Sequence, residues 1–456
     1  MIKGDILEVT IADIGMNGEG IAKDNGFVIF IPYALKDEQV RIEVLKVKKN
    51  FAYAKIIKLM TASPVRQDSR CKYFGKCGGC DYQHVVYEKQ LEYKRQEIIN
   101  CFKKNAGVDV DPKPTVPSDR IFGYRNKVQM PIGSMNGKIY AGFFREGSHY
   151  IVDVDKCILE EDGFNGYIRS FLKWANKYKL TAYNELTGKG ILRHILLRHV
   201  GETTQIVIVV NANELPRLAE LISAFKAYNA NFTLHVNINR ERSNVILGKR
   251  MLLKYGTNAI KCEMQGIKAE ISPYSFMQIN NSIRESIYSK VSDMLSENDD
   301  NIVIDAYSGV GILTNILAKR AKKAYGIEIV KDAVKNADEL TKANGNENKV
   351  TNILGDAAVC LPKLIGELRS DKETMDSNIS VVLDPPRKGA DIDVMNAVLS
   401  ANPDKIIYIS CNPSTLARDY SYIKDNYEIK EIIPYDMFPN TRHVETVVSM
   451  SSKNKL

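Results

Sequence analysis

The residues best placed to do chemistry lie in the last third of the chain: Asp384 in ISVVLDPPRKG, Cys411 in KIIYISCNPSTLARD and Glu445 in RHVETV. Cys411 closes an apolar run that reads as a strand, and a thiol at a strand end is a candidate nucleophile. A free cysteine more commonly serves as a small buried apolar side chain, so residue type alone does not decide. Asp384-Pro385-Pro386 forms a rigid turn, because each proline locks its own φ and restricts the residue before it. Glu445, with His443 nearby, is a candidate proton acceptor.

A second set of polar residues marks a cofactor site. Strand NIVID ends in Asp305 and runs into AYSGVGILTNILAK, a turn in which Gly309 and Gly311 let backbone approach a ligand closely. The next strand ends in Glu328, 23 residues after Asp305, where an acid can accept hydrogen bonds from both hydroxyls of a ribose. Asp356, closing VTNILGD, is placed to meet an adenine edge. Any one such acid could simply cap a helix; three in succession are less easily explained that way. Without a phosphate-binding GK[ST], the trio favours a cofactor lacking phosphates. S-adenosylmethionine fits, because carboxylates do not repel its cationic sulfonium, and NAD is the competing reading.

The two sets together narrow the chemistry. Methyltransferases acting on exocyclic amines usually follow their Asp/Asn-Pro-Pro turn with an aromatic residue; here Arg387 follows. Carbon 5 of uracil is too weakly nucleophilic to take a methyl group unaided. Thiolate addition at carbon 6 would make it electron-rich, and a base must then remove the carbon-5 proton. Cys411 and Glu445 suit those roles, with Asp384 placed to hydrogen-bond the uracil edge.

Three regions must position these groups. From about 286 onward, strands and helices alternate, which predicts an α/β, doubly wound, Rossmann-like domain. Residues 1–60 read as five or so short strands divided by glycine turns, an OB-type β-barrel. Between Arg41 and Lys58 stand six basic residues, one acid, and the aromatics Phe51 and Tyr53. That interleaving suits nucleic acid as well as it suits a solvated strand face. The domains expected are 1–60, a mixed α/β central region at 61–275, and a catalytic domain at 276–456.

Composition adds bounds. The chain has 456 residues, 44% hydrophobic and 26% charged, with a formal charge of +8 that favours a polyanionic partner only weakly. No run is long and apolar enough for a membrane span, and the N-terminus lacks a signal-peptide pattern. No membrane association, a cytoplasmic location and a monomer are therefore expected. Eight cysteines in a reducing compartment do not imply disulfides. Cys71-x5-Cys77-x2-Cys80 puts three thiols in one tight loop, and Cys157 could supply a fourth. Four thiolates suit a zinc ion or a [4Fe–4S] cluster. The spacing differs from the C-x3-C-x2-C of radical enzymes.

SFMQIN, DAYSGVG, GIE, LDPPRKG, ISCNP and RHVETV together resemble the bacterial RNA uracil-5-methyltransferase family, in its branch with an N-terminal TRAM domain acting on 23S ribosomal RNA. The resemblance covers nearly the whole chain. It implies Gln278, Tyr307, Glu328 and Asp384 as cofactor-pocket residues, Cys411 as nucleophile and Glu445 as base, with Asp356 a less certain match. It also favours [4Fe–4S] over zinc in a structural role, and implies that FGYRNKVQM (Tyr124, Arg125, Lys127) and ILRHILLRH (Arg193, Arg198) face RNA. Transfer RNA is the alternative substrate; a catalytically silent RNA-binding assembly factor is the alternative to an enzyme. Ser308 stands where relatives often have cysteine.

Overall fold

Period-2 alternation at the start of the chain becomes six strands in the computed structural model, which describes residues 1–15, 17–295 and 300–453. These are β1 (Ile6–Thr10), β2 (Asp13–Ile14), β3 (Gly20–Asp24), β4 (Phe27–Ile31), β5 (Gln39–Val47) and β6 (Phe51–Thr61). They pair in the order β1-β5-β6-β4-β3-β2. Inward residues such as Ile29, Ile31, Val40 and Ile42 are buried in one core. On the outside, Phe30, Phe51 and Tyr53 form a cluster with ring centroids 5.5–5.9 Å apart.

Helix α1 (Tyr87–Ala106) follows. Its apolar stripe of Ile98, Cys101, Phe102 and Ala106 packs into the core of the C-terminal sheet rather than against its sequence neighbours. The central sheet comprises β7 (Lys127–Met135), β8 (Lys138–Phe144), β9 (Ile151–Asp153), β10 (Leu192–Val200), β11 (Thr203–Val210), β12 (Phe232–Ile238) and β13 (Arg250–Tyr255), in the order β13-β12-β11-β10-β7-β8-β9. Helices α2 (Phe164–Lys177) and α3 (Leu218–Tyr228) cover one face, burying Phe164, Phe171 and Phe225 against Ile195, Leu197 and Ile206. A hairpin of β14 (Ile260–Met264) and β15 (Ile267–Ile271), then α4 (Asn281–Asp293), lead to the last unit.

That unit alternates β16 (Asn301–Asp305), α5 (Ile312–Leu317), β17 (Lys323–Glu328), α6 (Lys331–Ala343), β18 (Val350–Leu354), α7 (Ala357–Ser370), β19 (Asn378–Leu383), α8 (Ile392–Ala401), β20 (Lys405–Ser410) and α9 (Pro413–Ile423), and ends with β21 (Tyr427–Tyr435) and β22 (Glu445–Ser452). The sheet order is β18-β17-β16-β19-β20-β22-β21, so strand order reverses between β16 and β19, where open α/β sheets bind ligands. Both faces are covered, one by α1, α7, α8 and α9, the other by α4 and α5.

One sequence expectation needs correction. The doubly wound pattern predicts parallel strands throughout, with RHVETV at a strand end, but Glu445 opens β22, which runs antiparallel to both β20 and β21. The cause is connection length. Only residues 436–444 join β21 to β22, too few for the dozen or more that a parallel crossover needs.

The same connection is anchored by a buried ion pair between Lys94 of α1 and Asp436, both fully shielded from solvent. Tyr87 donates its hydroxyl to Asp436 Oδ2 at 2.7 Å, and Lys94 Nζ also donates to the Phe438 carbonyl at 3.0 Å. No described helix is long and apolar enough to cross a membrane. Removing one member of a buried pair strands the other, which costs about 3–5 kcal/mol. Lys94→Met is therefore expected to lower unfolding stability by about that amount in urea titrations; a loss below about 1 kcal/mol, the value of an exposed pair, would contradict the anchoring role.

Candidate active site

Antiparallel pairing of β22 with β20 sets the central geometry. Ser410 pairs with Thr446, the last recorded pair, and the residues next beyond it on the two strands are Cys411 and Glu445, whose charge acts on the Cys411 thiol. Cys411 immediately precedes α9, whose first turn is capped by Asn412 Oδ1 accepting from the Ser414 amide at 3.1 Å. Asp384 leaves β19 on the neighbouring strand. The loop after it is held by Asp419 of α9, fully buried, which accepts from the Ala390 amide at 2.8 Å and the Tyr408 hydroxyl at 2.5 Å. Gly389 is required there: its φ is +83°, and a Cβ would meet the Asp419 carboxylate at 2.6 Å.

These groups share an acidic, poorly hydrated edge. Burial first, then the Asp305 charge, push the Asp384 carboxyl up to about 7. Burial lifts Asp305 to about 6, with Glu328 adding to the rise and Thr314 opposing it. Burial, reinforced by Asp384, drives Glu445 well above the ordinary carboxylate range, and its Oε2 is buried without a hydrogen-bond partner. The Cys411 thiol is pushed up to about 11 by burial and by Glu445, while the Arg387 guanidinium opposes the rise. His443 is held neutral at ordinary pH, its pKa lowered to about 4 by burial and by Arg387 and Arg442.

On the β16 side, the glycine turn closes against Glu328. Its Oε2 accepts from the Gly309 amide at 3.1 Å and its Oε1 from the Val330 amide at 2.8 Å. Gly309 and Gly311 both take positive φ, +54° and +80°. Asp305 accepts from the Thr314 hydroxyl at 2.8 Å through Oδ2, while Oδ1 is buried and unpartnered. Tyr307 is half-buried on this turn, and Gln278 lies just before α4, its carbonyl accepting from Asn126 Nδ2 at 2.9 Å. Asp356 is exposed and uses Oδ1 to cap α7, accepting from the Ala358 amide at 2.9 Å. The arrangement fits an adenosyl cofactor bearing a sulfonium: a backbone cradle, a ribose-height carboxylate, and buried acids that lack a counter-ion.

Sequence reasoning missed Thr314 and Asp419, which orient Asp305 and the Asp384 loop, and it missed the Lys94–Asp436 anchor. Asn412 was findable, since N-P-S after a strand is a helix-start pattern. Arg193 and Arg198 do not face outward. They lie on β10, inside a seven-stranded sheet, and are spent on the carbonyls of Asn239 and Glu241 and of Ser272 and Ser275. Buried arginines need such partners, and backbone supplies them here.

Cys71, Cys77, Cys80 and Cys157 do come together. All four line one cavity with Tyr73, Phe74, Phe143 and Leu159, beside Arg125. Burial raises the thiols of Cys77, Cys80 and Cys157, with Arg125 opposing the rise at each. Among the described residues no group of three or more His, Cys, Asp or Glu side chains is drawn close enough to chelate a single ion.

Strand order reverses beside buried, unpartnered acids, and the Cys411 thiol lies within reach of the Glu445 charge at the same edge; the combination fits methyl transfer from a sulfonium donor such as S-adenosylmethionine. Comparison with known proteins agrees. Residues 86–453 match the family model described as tRNA (Uracil-5-)-methyltransferase, and residues 2–57 match the TRAM domain. The chain belongs to this family of RNA uracil-5-methyltransferases, with a TRAM domain at its N-terminus. It is 37% identical to an uncharacterized RNA methyltransferase of Clostridium acetobutylicum, over 99% of this chain and 98% of that one. With a Bacillus cereus protein of the same description it shares 36% identity, over 98% and 96%. Among solved structures, tRNA (uracil-54, C5)-methyltransferase of Pyrococcus abyssi, in complex with S-adenosyl-L-homocysteine, superposes with a TM-score of 0.75 at 27% identity, covering 97% of this chain and all of that one.

The acidic edge predicts a pH dependence. Above about 7, Asp305 and Asp384 are both ionised and attract a sulfonium; as pH falls through 7 and then 6 they protonate and the attraction is lost. S-adenosylhomocysteine lacks the sulfonium charge, so the ratio of the two affinities isolates this effect. If the sulfonium returns one carboxyl by a single pKa unit, the ratio changes about tenfold. Calorimetric titrations between pH 5.5 and 8 check it, and a flat ratio would remove these acids from the pocket.

Proposed function

We propose that Cys411 adds to carbon 6 of a target uridine in RNA and that Glu445 removes the carbon-5 proton once the methyl group is in place. The observation carrying this reading is the register that ends with Cys411 and Glu445 next beyond its last pair, the Glu445 charge acting on the thiol. Arg387 favours the thiolate. As the Cys411 sulfur bonds to carbon 6, the electron pair of the ring double bond moves into the carbon-4 carbonyl. Asp384, ionised beside the sulfonium, accepts a hydrogen bond from the ring N3–H and so holds the uracil edge in place. S-adenosylmethionine, when bound, supplies the electrophilic methyl that carbon 5 accepts. Glu445 then takes the carbon-5 proton; a carboxylate kept from water is a stronger base than an exposed one. The electrons left behind restore the ring double bond and expel the Cys411 thiolate. Gln278, Asp305, Tyr307, Glu328 and Asp356 are assigned to the cofactor pocket around this centre.

The substrate we assign is 23S ribosomal RNA, on the resemblance of the motifs to that branch. Transfer RNA is the second reading, favoured by the whole-length match with the Pyrococcus abyssi enzyme. That match takes in most of the barrel, so a barrel alone does not select ribosomal RNA. Cys71, Cys77, Cys80 and Cys157 are assigned as ligands of a [4Fe–4S] cluster. Four thiols around one largely apolar cavity support that reading, as does the positive Arg125 beside a group of net negative charge. Its role is to fold the 71–80 loop against the central sheet, since the methyl transfer needs no electrons.

Cys411→Ala is expected to abolish turnover and covalent RNA adducts, while S-adenosylmethionine still binds; normal turnover would end the nucleophile assignment. Glu445→Gln should accumulate a methylated protein–RNA species that survives denaturing electrophoresis, and its absence would point to another base. Mapping 5-methyluridine in 23S and transfer RNA from a deletion strain separates the two substrates. Anaerobic purification should give a brown protein with broad absorbance near ~400 nm; a colourless protein containing stoichiometric zinc would replace the cluster.

A further inference from the structure

The central sheet carries a second cleft, of about 540 Å³, on the face opposite α2 and α3. Its floor is His194 and Arg193 of β10, and its walls include Tyr140, Tyr150 and Tyr183. The ring of Tyr183 lies on the Arg193 guanidinium, 4.4 Å from carbon to centroid. Gly133 keeps the space open for Tyr140, whose phenolic oxygen would stand 2.7 Å from any Cβ added there.

Two polar atoms in this floor lack partners. His194 is 8% exposed and its Nδ1 is buried with no hydrogen bond; Arg193 is 5% exposed and its Nε is likewise unpaired. Burial and Arg193 hold His194 neutral, with a pKa near 4, so its ring can donate from one nitrogen and accept at the other. Buried polar groups without partners are uncommon and call for a ligand or water. At the rim the apolar surface is exposed: Tyr150 at 59% and Leu186 at 92%. Arg145 stacks on Tyr150, 5.0 Å from its centroid, and His149 meets Glu185 across the mouth at 2.8 Å.

Position ties this cleft to the active site. The turn between β8 and β9 separates the two: Arg145 to Ser148 border the cleft that opens onto Thr441 and His443, while His149 and Tyr150 border the second. Phe144 lines both. A strand with its uridine beside Cys411 would bring its neighbouring nucleotides toward this turn, since His443 borders the first cleft.

We infer that the second cleft binds a nucleobase of the same RNA strand, unstacked and laid against tyrosine, with His194 reading its edge. The inference rests on the proposed reaction, because the strand is placed by the uridine at Cys411. Flat aromatic walls and a neutral imidazole floor match a base, and Arg145, on the bordering turn and stacked on Tyr150, suits the adjoining phosphate. A peptide strand would instead seek a free sheet edge, and this cleft lies on a face.

The test uses the full-length enzyme with unmethylated 23S and transfer RNA transcripts containing 4-thiouridine. After irradiation and digestion, mass spectrometry is expected to find nucleotide adducts on Tyr150 or Tyr183, apart from any at Cys411. Tyr150→Ala, at an exposed position, and His194→Leu should each raise the KM for RNA about tenfold, with kcat at saturating RNA within about twofold and S-adenosylmethionine affinity unchanged. His194→Gln, which keeps hydrogen-bonding capacity, should restore most of the KM. Unchanged KM in both variants with adducts only elsewhere would overturn the inference, as would crosslinking of this face to a protein instead of RNA. If the wild type methylates neither transcript, the proposed reaction itself fails, and the photoadducts report on the cleft separately.

Discussion

The chemistry of this protein depends on one backbone constraint: the short connection after β21 forces β22 to turn back antiparallel between β21 and β20. In a fully parallel sheet only strand ends reach the ligand edge. Here a strand beginning arrives there too, and the two kinds of terminus face each other as Ser410 and Thr446 pair. Thiol and carboxylate thereby come from segments fixed by the same hydrogen-bond ladder, and neither relies on a mobile loop. Asp419 and the Lys94–Asp436 pair extend this rigidity to the flanking turns. Positioned groups of this kind supply much of a barrier's reduction through orientation alone.

Electrostatics give the site its second property. Asp305, Asp384 and Glu445 form a line of carboxyls, each raised chiefly by burial and each coupled to a neighbour in the line. Holding such acids ionised without a counter-ion is costly, and a cationic cofactor relieves that cost where a neutral product does not.

Much of this was readable in the sequence, and the exceptions have physical causes. Strand ends carrying Asp305, Glu328, Asp384 and Cys411 were visible because buried parallel strands read as apolar runs that end where polar ligand-edge residues begin. Cys71, Cys77, Cys80 and Cys157 line one cavity, but among the described residues they are not drawn together into a chelating group. The direction of β22 was not readable from local pattern, since an apolar run looks the same in either sense; only the loop length before it carried the information. Arg193 and Arg198 misled because cationic side chains on a strand look like a surface stripe until their carbonyl partners, 46 to 77 residues away, are known. Asp419 gave no signal, as its partners come from the loop after β19 (Ala390) and from within β20 (Tyr408).

Helix α1 belongs structurally to a sheet whose last strands are synthesised much later. Lys94 and Asp436 are 342 residues apart along the chain. At typical bacterial translation speeds, roughly 20–70 s separate their appearance. Until β16 and the strands after it are made, the apolar stripe of Ile98, Cys101 and Phe102 has no sheet to cover, and the cluster it joins is completed only by Ile432, Val448 and Met450. The nascent polypeptide therefore cannot acquire a working catalytic centre before synthesis is nearly finished, and the growing chain must shield a sticky helix in the meantime.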